Sequence, residues 1–373
     1  MTTRLSKLSI SGFRSIRHLD RFEPGSLAVL IGANGAGKSN LISFFRALSH
    51  MMSSPGGLQA HLAATGRAHS WLYDGPGVTS SISASLEIET EKGRNDYEFS
   101  LEYAANDRLF FNYERFRFLP TGRTPNAKVN MGSGHEESRL RERAEYGEPT
   151  PTAIRSMLLR FIVHQFHNTS FTSRMRQAWP VSEGRWLKED GGNVGAFLYR
   201  LKTEQRLAPY YARIVETIRQ SLPFFADFDF EPEDGQVTLA WREVNSDQRF
   251  EAHQASDGML RFMALVALLQ QPAENQPELL ILDEPELGLH PHAITTVAGL
   301  IKTASLEKQV IVATQSVTLL NEFEPEEIVV VERRGRESHF RRLDATQLEQ
   351  WLEQYSVGEL WEKNILGGRP TWQ

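Results

Sequence analysis

"IGANGAGKSN", residues 31–40, is the stretch whose reading decides the fold. Three glycines and a lysine stand directly behind the apolar run "LAVL" (27–30). "SLAVLIG" (26–32) is short and almost wholly apolar, as in a central strand covered on both faces. "GKSNLISFFRALSHMM" (37–52) then changes to helical spacing. The quoted residues therefore lie on a strand–loop–helix junction. Gly32, Gly37, Lys38 and Ser39 fit the pattern G-x4-G-K-[ST], a phosphate-binding loop. Glycines let backbone N–H groups turn inward around phosphates, and the following helix points its positive end at the same place. The expected nucleotide-binding loop comprises Gly32, Ala33, Asn34, Gly35, Ala36, Gly37, Lys38, Ser39 and Asn40. Lys38 supplies a mobile positive charge to the β- and γ-phosphates, and Ser39 offers a hydroxyl to Mg²⁺.

Such a loop needs an acidic partner, and "LLILDE" (279–284) supplies one. Four apolar residues deliver Asp283 to a strand end, where it can hold the magnesium shell. Glu284, the next residue, can polarise an attacking water as general base. The expected cofactors are ATP and Mg²⁺.

Working outward, "LSKLSI" (5–10) alternates as a strand does. Residues 79–118 predict antiparallel strands, with Asn95 and Asp107 in the turns between them. Residues 120–150 are rich in Pro, Gly and charge and predict a long loop. "TAIRSMLLRFIVHQF" (152–166) predicts a helix or a helix running into a strand, and residues 193–225 predict helices broken near Pro209. "FADFDFEP" and "QVTLAWREV" alternate again. "ASDGMLRFMALVALLQQ" (255–271) predicts a helix with Ser256 and Asp257 at its start, where caps belong. "KQVIVATQS" (308–316) and "EEIVVVERR" (326–334) predict further strands with a helix between them. The sum is an α/β fold with a mixed sheet core, an antiparallel β subdomain and a helical lobe. It is read as a single head, residues 1–373. Residues 1–120 carry the phosphate loop and antiparallel part, 121–235 a loop and helical lobe, and 236–373 the remaining motifs.

Composition narrows the partners. The chain has 373 residues, a net charge of −6 and no cysteine. The charge gives no global field for nucleic acid, and the absence of cysteine excludes disulfides, thiolate metal sites and cysteine nucleophiles. No stretch reaches about 18 apolar residues, and the first residues lack the apolar core of a leader, so a soluble cytoplasmic protein without a membrane partner is expected. Local basic clusters occur in "RFRFLPTGR" (115–123), "RLRERAE" (139–145) and "ERRGRESHFRR" (332–342). They are candidates for a DNA groove or for a solvated surface interspersed with acids such as Glu142 and Glu337. A metal site from His164 and His167 lacks an evident third ligand.

"ASDGMLRF" (255–262), between the two phosphate motifs, resembles the signature motif of ABC-type ATPases. With "SGFRSI" (11–16), "GANGAGKSN" and "DEPELGLHP" (283–291), the chain resembles the RecF/SMC/OLD branch of that class. It looks most like the small stand-alone bacterial OLD-like AAA family ATPases, which share the ending "YSVGELWEKNILGGRP" (355–370). The resemblance implies two heads that sandwich two ATP molecules. Each nucleotide would lie between one P-loop and the partner's Ser256, Asp257 and Gly258. "ELGLHP" (286–291) would be the D-loop crossing that interface, and Arg14 would join the nucleotide site. Gln315 stands where the switch histidine belongs; it can donate to a γ-phosphate oxygen but carries no charge, which implies slow hydrolysis. Ala255 stands where the signature usually begins with leucine. The Q-loop position falls in "VHQFHNTS" (163–170), with Gln165 or His167 as its side chain. The long coiled coil of SMC proteins is absent, and residues 317–373 are too few for the TOPRIM nuclease of full-length OLD proteins. The implied function is an ATP-hydrolysing switch that dimerises, or assembles further, to control a separately encoded nuclease or toxin in anti-phage defence. The alternative is a DNA-binding clamp in repair or recombination.

Overall fold

The computed structural model describes residues 3–122 and 127–368. Arg123 of the first basic cluster and Arg369–Pro370 of the ending lie outside the described residues. β1 (Arg4–Phe13) and β2 (Ile16–Phe22) form a hairpin, and β3 (Leu27–Ile31) is buried along its whole length. α1 (Lys38–Ser53) follows, buried through Leu41, Phe44, Phe45, Leu48 and Met52. These recur at the three-to-four residue spacing that puts them on one stripe. α2 (Gly57–Ala64) leads to β4 (Ser81–Thr90), β5 (Gly93–Ala104) and β6 (Arg108–Pro120), which pair antiparallel in sequence.

Two expectations are corrected here. Asn95 is not in a turn; it lies within β5, paired with Ile88 and Phe118. The chain reverses at Glu91–Lys92, between the paired Thr90 and Gly93. Asn95 and its neighbour Asp96 are both buried, and Asp96 is paid for by ion pairs to Arg94 (2.8 Å) and Arg117 (2.5 Å). Asp107 does sit at a turn, with Asn106 and Asp107 both left-handed at φ 64° and 58°.

Residues 120–150 are not one loop. They hold the short β7 (Val129–Asn130), α3 (Arg139–Glu145) and the start of α4 (Pro149–Leu158). The cause is a buried carboxylate that composition does not reveal. Glu114 of β6 is fully buried and accepts from Tyr97 Oη (2.7 Å), the Ser138 hydroxyl, His135 Nε2 (3.0 Å) and the Arg139 backbone N–H (2.9 Å). An unpaired buried carboxylate is costly, so these donors pin the segment to the sheet.

β8 (Phe161–His164) enters the second sheet, and the short β9 (Trp179–Pro180) follows it. α5 (Val194–Thr203) and α6 (Ala208–Ser221) form the helical lobe. The break falls at residues 204–207, and Pro209 sits in the first turn of α6, where its missing N–H costs nothing. β10 (Phe225–Phe228), β11 (Gln236–Val237), β12 (Ala240–Glu243) and β13 (Arg249–Glu251) are small and antiparallel. α7 (Asp257–Leu269) is nearly all apolar and buried. Then come β14 (Leu279–Asp283), α8 (Pro291–Ser305), β15 (Gln309–Thr314), α9 (Val317–Leu320), β16 (Ile328–Arg334), β17 (Glu337–Arg342), α10 (Ala345–Leu352) and α11 (Val357–Glu362).

Two six-stranded sheets result, in the orders β2-β1-β4-β5-β6-β7 and β17-β16-β3-β15-β14-β8. In the second, β16, β3, β15, β14 and β8 run parallel. Its two faces feed two cores. Val29, Ile31, Val312 and Leu282 pack with α5–α8, while Leu30, Ala313, Ile281 and Val331 pack with α1 and the first sheet. Parallel strands covered on both sides read as continuous apolar runs, which is why β3, β14 and β15 were legible. Ile31, Asp283 and Thr314 thus end at one edge, where loops carry chemistry in such folds.

Candidate nucleotide site

The loop after β3 is pressed against the β16–β17 hairpin. A Cβ on Gly32 would lie 2.2 Å from Val331 O, and one on Gly37, left-handed at φ 118°, would lie 2.0 Å from Ser338 Oγ. Only glycine fits either place. Lys38 folds back so that Nζ donates to the carbonyls of Gly32 and Ala33, the latter at 3.3 Å. Burial lowers the Lys38 pKa, and the nearby Glu284, Asp283 and Glu286 oppose that shift. An ammonium on loop carbonyls in this geometry is poised to exchange them for phosphate oxygens. Ser39, Asn34 and Gly35 are exposed. Asn40 turns the other way: Nδ2 donates to Ser15 Oγ (2.5 Å), which meets Ser338 Oγ (2.7 Å) behind the loop. Arg14 is left-handed (φ 51°), and its guanidinium lies 5.5 Å from the Phe13 ring centroid. Burial lowers its pKa. Its charge acts on His61, which is pushed down to about 4 by burial first, then by His50, Arg14 and Arg46.

Facing the loop, β14 ends in Asp283. Gln165 Nε2 donates to Asp283 Oδ2 (3.2 Å) and lies 2.9 Å from His167 Nδ1; His167 Nε2 lies 3.0 Å from Asp283 O. Both candidates for the Q-loop position therefore meet the same acid. Arg46 of α1 completes the row by donating to Gln165 Oε1 (2.9 Å). Burial raises the Asp283 pKa, helped by Glu284 and opposed by His167, Arg46 and Lys38. Glu284 is left-handed at φ 47°, held by its N–H on Ala313 O (2.8 Å). A left-handed glutamate carries a backbone cost that the surrounding contacts must offset. Gln315 Nε2 donates to Glu284 Oε1 at 2.6 Å, so the candidate base and the candidate γ-phosphate sensor are in contact. Glu286 accepts from Thr314 Oγ1 (2.5 Å) while its other oxygen is buried with no hydrogen-bond partner among the described residues, and burial raises its pKa.

Ser256 caps α7 through Met259 N (3.2 Å), and Ser256 and Asp257 are exposed. Two arginines brace this corner. The buried Arg176 donates to Thr169 O (2.9 Å), Ala255 O (3.1 Å) and the Asp257 carboxylate (2.9 Å). Arg261 donates to Phe166 O (2.9 Å), His167 O (2.9 Å) and Leu287 O (3.2 Å). Gly258 lies so close to the next loop that a Cβ would sit 2.4 Å from Gly288 O. Among the described residues, no hydrogen bond joins residues 256–258 to the phosphate loop of the same chain.

Sequence reasoning missed Arg46, Glu286, Arg176 and Arg261. Arg46 carried a faint signal, as the one charge on an otherwise apolar stretch of α1; the others are recognisable only from what they touch. His164 is buried in β8 with its pKa lowered to about 4 by burial, and among the described residues no metal-type cluster of three forms. The basic clusters are largely engaged internally. Arg117 pairs with Asp96, Arg143 with Glu148 (3.2 Å), Arg334 with Glu332 (2.8 Å) and Arg336 with Asp74. Among the described residues, no helix is long and apolar enough to cross a membrane.

The strand order, the phosphate loop and the acidic strand, with the family match reported next, mark a P-loop ATPase whose fold is like that of an SMC head. A family model described as "AAA domain, putative AbiEii toxin, Type IV TA system" matches residues 27–321, and the chain belongs to that family. No curated protein matches the sequence. Among solved structures, an Smc head bound to the C-terminal winged-helix domain of ScpA matches at a TM-score of 0.59 and 17% identity, over 93% of this chain and 99% of that one. An Smc head with an extended coiled coil, bound to the C-terminal domain of ScpA, from Pyrococcus furiosus, matches at 0.56 and 14%, over 94% and 99%. One with a coiled coil and joint from Pyrococcus yayanosii matches at 0.52 and 13%, over 94% and 99%. These likenesses concern the fold.

Proposed function

We propose that this ATPase is a nucleotide-gated switch in which ATP pairs two copies of the chain, and that the paired state controls a separately encoded effector. The observation that carries this is the separation within one chain of two half-sites, each open on one side. The phosphate loop and its acids form one half; the exposed, capped start of α7 forms the other. A helix N-terminus is a natural anion site, and here the anion would be the γ-phosphate held by the partner copy. The two-fold pairing expected of identical chains would complete both sites at once.

The residues fit MgATP. A buried lysine lies on loop carbonyls with Glu284 and Asp283 near its charge, glycines stand where the loop is pressed against the neighbouring hairpin, and the serine that follows the lysine is exposed. Lys38 and the loop amides would hold the phosphates, and Ser39 and Asp283 would hold Mg²⁺, which supplies charge stabilisation at the phosphates. Gln165 and His167 would orient Asp283. Glu284 would take the proton from water as it attacks the γ-phosphorus and the bond to the bridging oxygen breaks. Gln315 holds that carboxylate, so turnover requires it to re-aim at the γ-phosphate; slow basal hydrolysis follows. Residues 1–120, 121–235 and 236–373 would serve as cradle, lobe and signature parts of one head. The family description names a toxin system, and the OLD-like resemblance points to a nuclease or toxin effector in cytoplasmic anti-phage defence. Both come from family likeness and not from the geometry of the site.

The test is steady-state ATP hydrolysis together with size measurement, with and without duplex DNA, at two salt concentrations. A slow rate indifferent to DNA, with ATP-dependent dimers, is expected. Turnover stimulated by DNA and lost at high salt would replace the switch with a DNA clamp.

A further inference from the structure

The C-terminal segment from Ser356 to Gly368 touches the nucleotide site from two directions. At one end, α11 packs on α9, the helix that begins immediately after Gln315. The Gly358 N–H donates to Asn321 Oδ1 at 2.7 Å. A Cβ on Gly358 would lie 2.5 Å from Asn321 Oδ1 and 2.6 Å from Val317 Cγ1. In the middle, Leu366 is buried and its carbonyl accepts from Arg341 (2.7 Å). At the other end, Gly367 and Gly368 turn left-handed at φ 78° and 83°. The Gly368 N–H donates to Glu332 Oε1 (3.0 Å), and its carbonyl accepts from the Ala33 N–H (2.9 Å). Ala33 is the second residue of the phosphate loop.

We propose that Ser356–Gly368 is a positioning strap of the nucleotide site, which ties the γ-phosphate-sensing loop at Gln315 to the entry of the phosphate loop at Ala33. This rests on the ATPase reading above and adds the element that links its two ends. The reasoning is mechanical. Ser316 caps α9 through Leu319 N (3.2 Å), so α9 moves with Gln315. Gly358 is seated too closely on α9 to slide independently. The Gly367–Gly368 turn fixes the far end. A Cβ on Gly367 would lie 1.8 Å from Glu332 Oε1, the atom that holds the next N–H. The carboxylate could swing aside, but the Gly368 bond would go with it. ADP engages the phosphate loop alone, whereas ATP also engages Gln315. The strap therefore distinguishes the two nucleotides by whether one or both of its anchors are loaded.

Amide hydrogen exchange on the full-length chain reads this directly, in the nucleotide-free, ADP-bound and ATP-bound forms, the last trapped with Glu284→Gln. Exchange at Gly368 is expected to slow with either nucleotide, and exchange at Gly358 only with ATP. Gly367→Ala should weaken ADP and ATP binding alike, by roughly three- to tenfold, the range for one lost backbone hydrogen bond. Gly358→Ala should leave ADP binding unchanged and reduce the preference for ATP. Gly335→Ala is the control, since Gly335 is also left-handed (φ 59°) but a Cβ there meets nothing within 4 Å. It should match the parent protein. Identical exchange over residues 356–368 in all three forms, on a chain that binds ATP, overturns the strap and leaves the ATPase reading standing. Failure of the parent chain to bind ATP would instead remove the reading on which the strap rests. Should either variant lower the melting temperature sharply, the exchange measurement on the trapped parent decides alone.

Discussion

The two halves of the proposed nucleotide site are built in opposite ways. Around Asp283 and Glu284 the polar groups are already bonded to one another: Gln165 to Asp283, Gln315 to Glu284, Lys38 to its own loop. Around Ser256 and Asp257 the bracing lies behind, in Arg176 and Arg261, and the front is solvent. In the proposed switch the first half would break contacts to work, and the second would gain them. A switch that rests in the off state needs that difference, because nucleotide would rearrange one half and then supply what the other lacks.

The largest break in this contrast should come from Lys38→Ala. The loop loses its mobile cation, and most ATP affinity should vanish in equilibrium binding; unchanged binding would remove the phosphate-loop assignment. Next, Glu284→Gln should bind ATP but turn it over at least about a hundredfold more slowly, the size typical of a lost general base. Size measurement should show it accumulating as an ATP-bound dimer. On the opposite half, Ser256→Arg should bind ATP normally as a monomer yet lose ATP-dependent dimers, with turnover down by about tenfold or more. A variant that still dimerised would show that α7 does not face the partner's nucleotide. Arg176→Met should act through stability, since it strands the carbonyls of the buried Thr169, Ala252 and Ala255. A loss of roughly 2–4 kcal/mol in denaturant unfolding is expected.

The smallest effect concerns Glu286. Its pKa is raised in the folded chain, so the folded state binds more protons than the unfolded state just above the ordinary carboxylate range. Stability therefore falls as pH rises through that window. Glu286→Gln should flatten this dependence, read as a smaller drop in melting temperature between acidic and neutral pH. A slope unchanged by the substitution would mean that Glu286 does not titrate there.

What could be read from the sequence follows the same divide between groups with local signatures and groups defined by their neighbours. The strand–loop–helix at residues 26–52 and the strand before Asp283 were legible because parallel, doubly covered strands must be apolar throughout. Ser256 was legible as a cap because its partner, Met259 N, is three residues away. Asn95 was misjudged because its residue type favours turns while Asp96 beside it is held inside the sheet by Arg117, a residue on the next strand. The helix at Arg139–Glu145 was hidden because Glu114, far behind in sequence, holds its start. The cluster at 332–342 reads as a DNA groove or a solvated surface, yet within it Ser338 reaches under the phosphate loop to Ala36 O (2.6 Å).

The order β3-β15-β14 carries a metric consequence. Neighbouring strands in a sheet lie about 4.8 Å apart, so the strand that delivers Lys38 and the strand that delivers Asp283 stand roughly 10 Å apart, with the strand of Gln315 midway. That gap is a ruler cut by backbone hydrogen bonds. Substitutions in the surrounding loops can alter which base is welcomed or which protein listens. They cannot stretch the span in which a triphosphate and its cation must fit without breaking the ladder itself.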